Sequence, residues 1–183
     1  MKNETGILWL VVGPSGAGKD SLLEGAKERL IDSQAHVFVR REITRPAEAG
    51  GEDHIPVSVE DFEARRSAGA YALSWGAHGL FYGIPVALED DLARGAHVIV
   101  NVSRSVIEEA RARYDDVRVI DIKVPRTILE ARLRNRGRES EEDIQKRLER
   151  AEAFALEGPG VVKFRNDRPL AESIEAFAAL FTR

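Results

Sequence analysis

Residues 13–21 read Gly-Pro-Ser-Gly-Ala-Gly-Lys-Asp-Ser, directly after the apolar run Ile7-Leu8-Trp9-Leu10-Val11-Val12. Gly13, Gly16 and Gly18 let the backbone turn tightly, so that successive N–H groups face one concavity and donate to phosphate oxygens; Pro14, Ser15 and Ala17 complete the loop. Lys19 adds a cation for β- and γ-phosphates, at the N-terminus of a helix whose dipole also favours anions. An ordinary glycine turn has no need of the lysine, of the strand before it or of the helix after it. The segment predicts a site for a nucleoside triphosphate.

The residue after such a lysine is normally Ser or Thr, whose hydroxyl ligates Mg²⁺, and here it is Asp20, followed by Ser21. A carboxylate is a stronger oxygen ligand for a hard cation, but it also repels phosphate. Two arrangements are open: Asp20 binds Mg²⁺, directly or through water, or it turns away and Ser21 takes part of the role.

Moving a phosphoryl group requires positive charge around it and exclusion of water. Arg40, Arg41 and Arg45 lie in one short segment and suit a phosphorylated acceptor, since the guanidinium fork can hold phosphate in a bidentate way. The plainer alternative is a solvated charge run. A second group, Arg132, Arg136, Arg138 and Arg147, flanks Gly137 and suits a mobile lid over about residues 132–147 that carries arginines onto phosphates. Its alternative is a pair of amphipathic helices with arginines salt-bridged to Glu139, Glu141 and Glu142.

The four histidines show no metal-ligand spacing, which argues against a structural zinc site. His54 and His78 fall in the segment expected to meet the acceptor; His36 and His97 sit at strand starts and read as structural. Glu52 and Asp53 are either acceptors for a sugar or base, or a solvated loop. Trp9 and Trp75 read as packing residues.

The elements that must position these residues alternate between strand and helix. A strand over residues 7–12 feeds a helix over 19–31 with Leu22, Leu23, Ala26 and Leu30 on one face. A strand over 36–40 precedes a loop over 46–56, and Ser58 is placed to cap a helix over 59–68. Short strands follow at 71–75 and 79–82, and Pro85 suits the first turn of a helix reaching Arg94. Strands over 97–102, 117–124 and 161–164 alternate with helices over 103–114, 126–136, 141–156 and 170–181. Ile144, Leu148, Ala151 and Ala155 form one stripe. The pattern predicts an α/β fold, a P-loop NTPase with a parallel sheet flanked by helices and its site at the strands' carboxyl ends. Residues 41–84 break the alternation and read as an acceptor-binding insertion able to cover that site.

At 183 residues the chain fits one domain, 1–183. A net charge of -4 gives no support for general affinity toward nucleic acid or membranes. Zero cysteines exclude disulfides and fit a reducing cytoplasm, the expected location. The lead-in at residues 1–5 and the apolar run after it are too short for a signal peptide, and no run approaches the ~20 apolar residues of a membrane span. Composition carries no signal for an oligomeric state.

In this order the motifs resemble the guanylate kinase family of nucleoside monophosphate kinases over nearly the whole chain. They are residues 13–19, Thr44-Arg45-Pro46, Phe62, His78-Gly79-x-x-Tyr82-Gly83, Arg132-Leu133-x-x-Arg136-Gly137, Ile144-x-x-Arg147-Leu148 and Asn166-Asp167. The resemblance implies that Arg45 and Tyr82 hold the acceptor phosphate, that Arg136 and Arg147 are lid arginines, and that Arg132 lies near adenine. Four departures matter. The family's second phosphate-binding arginine is Glu48 here, a tyrosine is replaced by His54, the guanine-reading glutamate falls on Leu73, and its helper falls near Asn101 and Ser103. A leucine cannot accept from guanine N–H groups, which speaks against GMP.

The Asp20 variant of the loop, Arg40-Arg41-x-Ile43-Thr44-Arg45-Pro46 and Leu73-Ser74-Trp75-x-Ala77-His78-Gly79 are similar to a sub-branch, the ribose 1,5-bisphosphate phosphokinases of phosphonate catabolism. That likeness implies transfer of the γ-phosphoryl of ATP, with Mg²⁺, to a sugar bisphosphate to give 5-phosphoribosyl 1-diphosphate (PRPP). Lys19, Arg136 and Arg147 would then be catalytic. Residues 13–21 with Arg132 would hold the nucleotide, Asp20 or Ser21 would serve the metal, and Arg41, Arg45, Asp53, His54 and Tyr82 would hold the acceptor. A base-free acceptor accounts for the missing guanine contacts, and its second phosphate for the extra cation at Arg41. The alternatives are a nucleoside monophosphate kinase of altered base choice and a non-catalytic binding module.

Overall fold

The structure, a computed structural model, describes residues 6–49 and 51–182. The lead-in at residues 1–5 lies outside the described residues, as does position 50 of the expected loop. In chain order the elements are β1 (Ile7–Val12), α1 (Lys19–Arg29), β2 (His36–Phe38), β3 (Glu42–Ile43), β4 (Ile55–Pro56), α2 (Val59–Ser67), β5 (Tyr71–Ala77) and β6 (Leu80–Pro85). Then follow α3 (Leu88–Ala93), β7 (His97–Asn101), α4 (Ile107–Arg113), β8 (Val117–Lys123), α5 (Arg126–Arg136), α6 (Glu141–Ala153), β9 (Val161–Arg165) and α7 (Leu170–Ala178). One sheet has the order β2-β7-β1-β8-β9, with β2–β7 and β8–β9 parallel; the other has the order β4-β3-β6-β5. The expected alternation is there. No helix among the described residues is long and apolar enough to cross a membrane.

Three expectations give way. Pro85 ends β6, opposite Tyr71, and the helix begins only at Leu88. At a strand's end proline sacrifices no ladder bond that an interior position would need. The helix expected from 103 is divided: Ser103 accepts from Ser105 N at 3.3 Å and starts a 3₁₀ turn, Arg104–Val106, before α4. The helix expected to reach 156 stops at Ala153, which leaves Ala155 exposed beyond it.

The described residues form two compact units, one from residues 6–10 and 31–118, the other from 11–30 and 119–182. In the second, α1 and α7 approach closely at Gly25, where a Cβ would lie 2.4 Å from Ile174 Cδ1, so only glycine lets the two helices meet. Gly137 ends α5 in the left-handed conformation (φ 61°), and Ser140 caps α6 by accepting from Asp143 N at 3.2 Å. The resulting helical hairpin has its own core of Leu129, Leu133, Ile144 and Leu148, with Val124 and Ala151 packed against it.

In the first unit, β5 and β6 turn through His78 (φ 52°) and Gly79 (φ 73°), two successive positive φ values that match the twist of a two-residue hairpin. His78 is therefore an exposed turn residue. Phe62 of α2 stacks on Tyr71 at 4.8 Å and on Phe81 at 5.4 Å, closing the apolar side of this sheet. Glu42 is buried on β3; it accepts from Tyr71 Oη at 2.5 Å and from Arg65 Nε and Nη2 at 2.9 and 2.8 Å. A buried carboxylate needs such a set of donors.

Burial, then the bond to Glu42, push the Tyr71 phenol up from 10.0 to about 12. Between those values the unfolded chain gives up its proton while the folded one keeps it, so stability falls as pH rises through this window. Tyr71→Phe should flatten this part of the decline in thermal midpoint between pH 10 and pH 12. An identical decline in both proteins would mean that Tyr71 titrates normally.

Candidate functional site

The expected site residues fall into two groups, one in each unit. The first starts where β1 ends. Gly13 passes so close to β8 that a Cβ would stand 3.1 Å from both Ile122 Cβ and Ile122 O. Pro14 O accepts from Ala17 N at 3.1 Å, which closes the loop over Ser15 and Gly16. Gly16 and Gly18 have φ of 87° and 84°, conformations that L side chains strain to adopt. Leu22 N then donates to Gly18 O at 3.0 Å and opens the first turn of α1.

Lys19 Nζ donates to Gly13 O at 2.7 Å and to Pro14 O at 3.2 Å, so the loop's own carbonyls hold the ammonium. Asp20 and Ser21 are exposed in the first turn of α1. Arg132 reaches back from α5, its Nη1 standing 3.4 Å from Ala17 O. Asn166, just past β9, is 2% exposed, and its Nδ2 donates to the same oxygen at 2.7 Å.

The lid arginines divide. Arg147 on α6 pairs with Glu139 at 2.9 Å, and their neighbour Arg134, outside the expected group, pairs with Glu130 at 2.8 Å and with Glu141. Those contacts follow the plainer reading of two salt-bridged helices. Arg136 and Arg138 are exposed and make no ion pair among the described residues.

The second group gathers just before β3, on β5–β6 and on the loop after β3. The rings of Trp75 and Tyr82 are stacked, 5.3 Å apart and 1° from parallel. Arg41 lies over both, 5.0 Å from the Tyr82 centroid and 5.9 Å from that of Trp75. Its Nε donates to Glu52 Oε2 at 2.8 Å while Nη2 engages Oε1, a bidentate pair with side chains only 11% and 18% exposed. Trp75, expected to pack, thus also forms a platform under a cation.

His54 is 5% exposed, with Nε2 2.8 Å from Arg45 O and Nδ1 3.1 Å from Glu52 O. Its ring is engaged by loop carbonyls; any effect on a ligand passes through the two residues it holds. Arg45 Nη2 stands 3.3 Å from His54 Nδ1, while Arg45 Nε is buried with no hydrogen-bond partner among the described residues. A buried guanidinium N–H without a partner is costly, and an anion would satisfy it. Asp53 is exposed and pairs with Arg40 at 2.8 Å.

Leu73 is 1% exposed inside β5. Sequence reasoning missed Glu52 as the partner of Arg41, eleven positions along the chain with no regular period between them. It also gave no role to Asn166, 149 residues away from Ala17.

A family model described as guanylate kinase matches residues 6–158. The chain belongs to the guanylate kinase family. The likeness read from the motifs to its ribose 1,5-bisphosphate phosphokinases is borne out by relatives. A protein of Chromobacterium violaceum named ribose 1,5-bisphosphate phosphokinase PhnN is 46% identical over 173 residues, 94% of this chain and 92% of its own. A bifunctional ribose 1,5-bisphosphokinase-thymidine phosphorylase of Roseobacter denitrificans is 47% identical over 175 residues, 96% of this chain. The chain spans only 26% of that protein's length. The crystal structure of guanylate kinase from Anaplasma phagocytophilum matches with a TM-score of 0.66 at 21% identity, covering 100% of this chain and 87% of its own. That match bears out the expected guanylate-kinase-like α/β fold.

Proposed function

We propose that the chain is a phosphotransferase that moves the γ-phosphoryl group of ATP onto the 1-phosphate of ribose 1,5-bisphosphate, giving PRPP and ADP. The acceptor unit carries the reading: Arg41, with a side chain 11% exposed, lies on an aromatic platform, Arg45 has an Nε without a partner, and the position that the family resemblance matches to the guanine-reading glutamate is Leu73, a buried leucine. Two cations and no base-reading acceptor suit a base-free bisphosphate. The names of the relatives point to the same substrate.

Residues 13–21 cradle the triphosphate, and Lys19 exchanges its loop carbonyls for phosphate oxygens. Mg²⁺, when bound, neutralises charge on the β- and γ-phosphates. The residues fit it as a shared ion: Asp20 and Ser21 offer hard oxygen donors, and no cluster of three or more His, Cys, Asp or Glu able to hold a metal occurs among the described residues. Arg132 lies beside the nucleotide's end of the loop. Arg45 and Arg41 hold the acceptor's phosphates, with Tyr82 beneath Arg41, and Asp53 and His54 shape the loop that carries them. Arg136 neutralises the migrating phosphoryl, joined by Arg147 when that side chain exchanges Glu139 for phosphate oxygens. The attacking group is a phosphate oxygen, already anionic at neutral pH, so no general base is needed. Catalysis rests on positioning and charge. Such chemistry fits a cytoplasmic enzyme working on small molecules.

The test is incubation with Mg-ATP and either ribose 1,5-bisphosphate or GMP, followed by ³¹P NMR. The expected result is the diphosphate doublets of PRPP with the first acceptor and no GDP with the second. GDP formation would mean a nucleoside monophosphate kinase; turnover of neither would leave a binding module.

A further inference from the structure

We infer that Asn166 is a positioning residue that locks one peptide plane of the phosphate loop, so that Gly18 N–H faces the triphosphate. The inference rests on the reading of residues 13–21 as a triphosphate site. In a planar trans peptide the C=O and the next N–H point in opposite directions. Asn166 Nδ2 holds Ala17 O at 2.7 Å, so the N–H of the same peptide, that of Gly18, is turned to the other side. Without that hold the peptide could flip and present its carbonyl oxygen to the phosphates, a repulsive contact in place of a donated hydrogen bond.

The lock is built firmly. Asn166 is 2% exposed, and its backbone N–H donates to Lys123 O at 2.8 Å, tying it to the end of β8. Its side chain therefore approaches the loop from a sheet edge, with Arg132 Nη1 as a longer second donor at 3.4 Å. The same approach explains why position 18 must be glycine. A Cβ there would stand 2.7 Å from Asn166 Nδ2, in addition to the strain of its φ of 84°. Preorganised donors of this kind spare the cost of reorienting a dipole when the ligand arrives.

A residue that reads the nucleotide base would act only on nucleotides, whereas a peptide lock acts on phosphate alone. The test is calorimetric titration of the whole chain with Mg²⁺ and either inorganic tripolyphosphate or ATP, for wild type, Asn166→Ala and Asn166→Asp. Both ligands should weaken in parallel, about tenfold in the alanine variant, the scale of one lost hydrogen bond to a charged group. Aspartate, whose carboxylate repels Ala17 O, should weaken them further. In turnover the KM for ATP should rise and that for the acceptor stay unchanged. Thermal melting reports whether each variant is folded; if aspartate is not tolerated, alanine decides. Loss of ATP affinity with tripolyphosphate unchanged would overturn the inference in favour of base reading. Unchanged affinity for both would overturn it outright. A wild type that binds neither ligand would bring down the triphosphate reading itself, and this inference with it.

Discussion

Replacing Lys19 with alanine should lower kcat for phosphoryl transfer by about 10²–10³, the scale of removing one preorganised donor from a developing charge. The ammonium is already collected at the loop by Gly13 O and Pro14 O, at 2.7 and 3.2 Å. Neutral carbonyls hold it in place, and phosphate oxygens, which carry full charge, replace them with stronger bonds. Little reorganisation is needed because the side chain is already at the mouth of the loop. Those carbonyls also predict a modest structural cost, since each can turn to water once the ammonium is gone. Measuring kcat together with the thermal midpoint separates the two: activity should collapse while the midpoint moves by a few degrees at most. A variant that kept a tenth of the wild-type kcat would remove Lys19 from the reaction.

The turn before α1 was legible because it is local: glycine at 16 and 18 answers to the positive φ of the backbone there. The cap at Ser58 was legible for the same reason, and it accepts from Asp61 N–H, three residues on. The acceptor group was not. Arg41 and Glu52 meet across irregular backbone with no period to announce them, and a bidentate pair looks in sequence like two unrelated charges. The lid shows the limit from the other side. Its arginines, Arg132, Arg136, Arg138 and Arg147, suggested phosphate binding, yet Arg147 is paired with Glu139, as in the plainer helix-pair reading. Counting cations overstates the number at hand, because a glutamate in the turn between α5 and α6 takes one of them. Pro85 misled because a proline suits a helix's first turn and a strand's last residue equally well.

Arg41→Met should raise the KM for the acceptor by about 10–100-fold, more than the loss of one neutral hydrogen bond, because the substitution does two things at once. It removes a cation from the sugar bisphosphate, and it leaves Glu52, only 18% exposed, as a carboxylate without its counterion beside an anionic ligand. Breaking one member of a buried pair costs more than the pair is worth, since the remaining charge stays desolvated. Glutamate takes the Nε–Nη2 edge of Arg41 and so fixes the guanidinium over Trp75 and Tyr82, leaving Nη1 outside the pair. The double substitution Arg41→Met with Glu52→Gln should therefore recover about tenfold of the lost affinity, a coupling that single substitutions cannot show. A bisphosphate should feel Arg41→Met more strongly than an acceptor with one phosphate, because Arg45 alone can serve the latter. If Arg41→Met left the acceptor KM unchanged, the pair would be a structural clamp and the second phosphate would have to be held elsewhere. If the double variant were as impaired as the single one, the whole loss would belong to the contact between Arg41 and its ligand, and Glu52 would serve only to aim it.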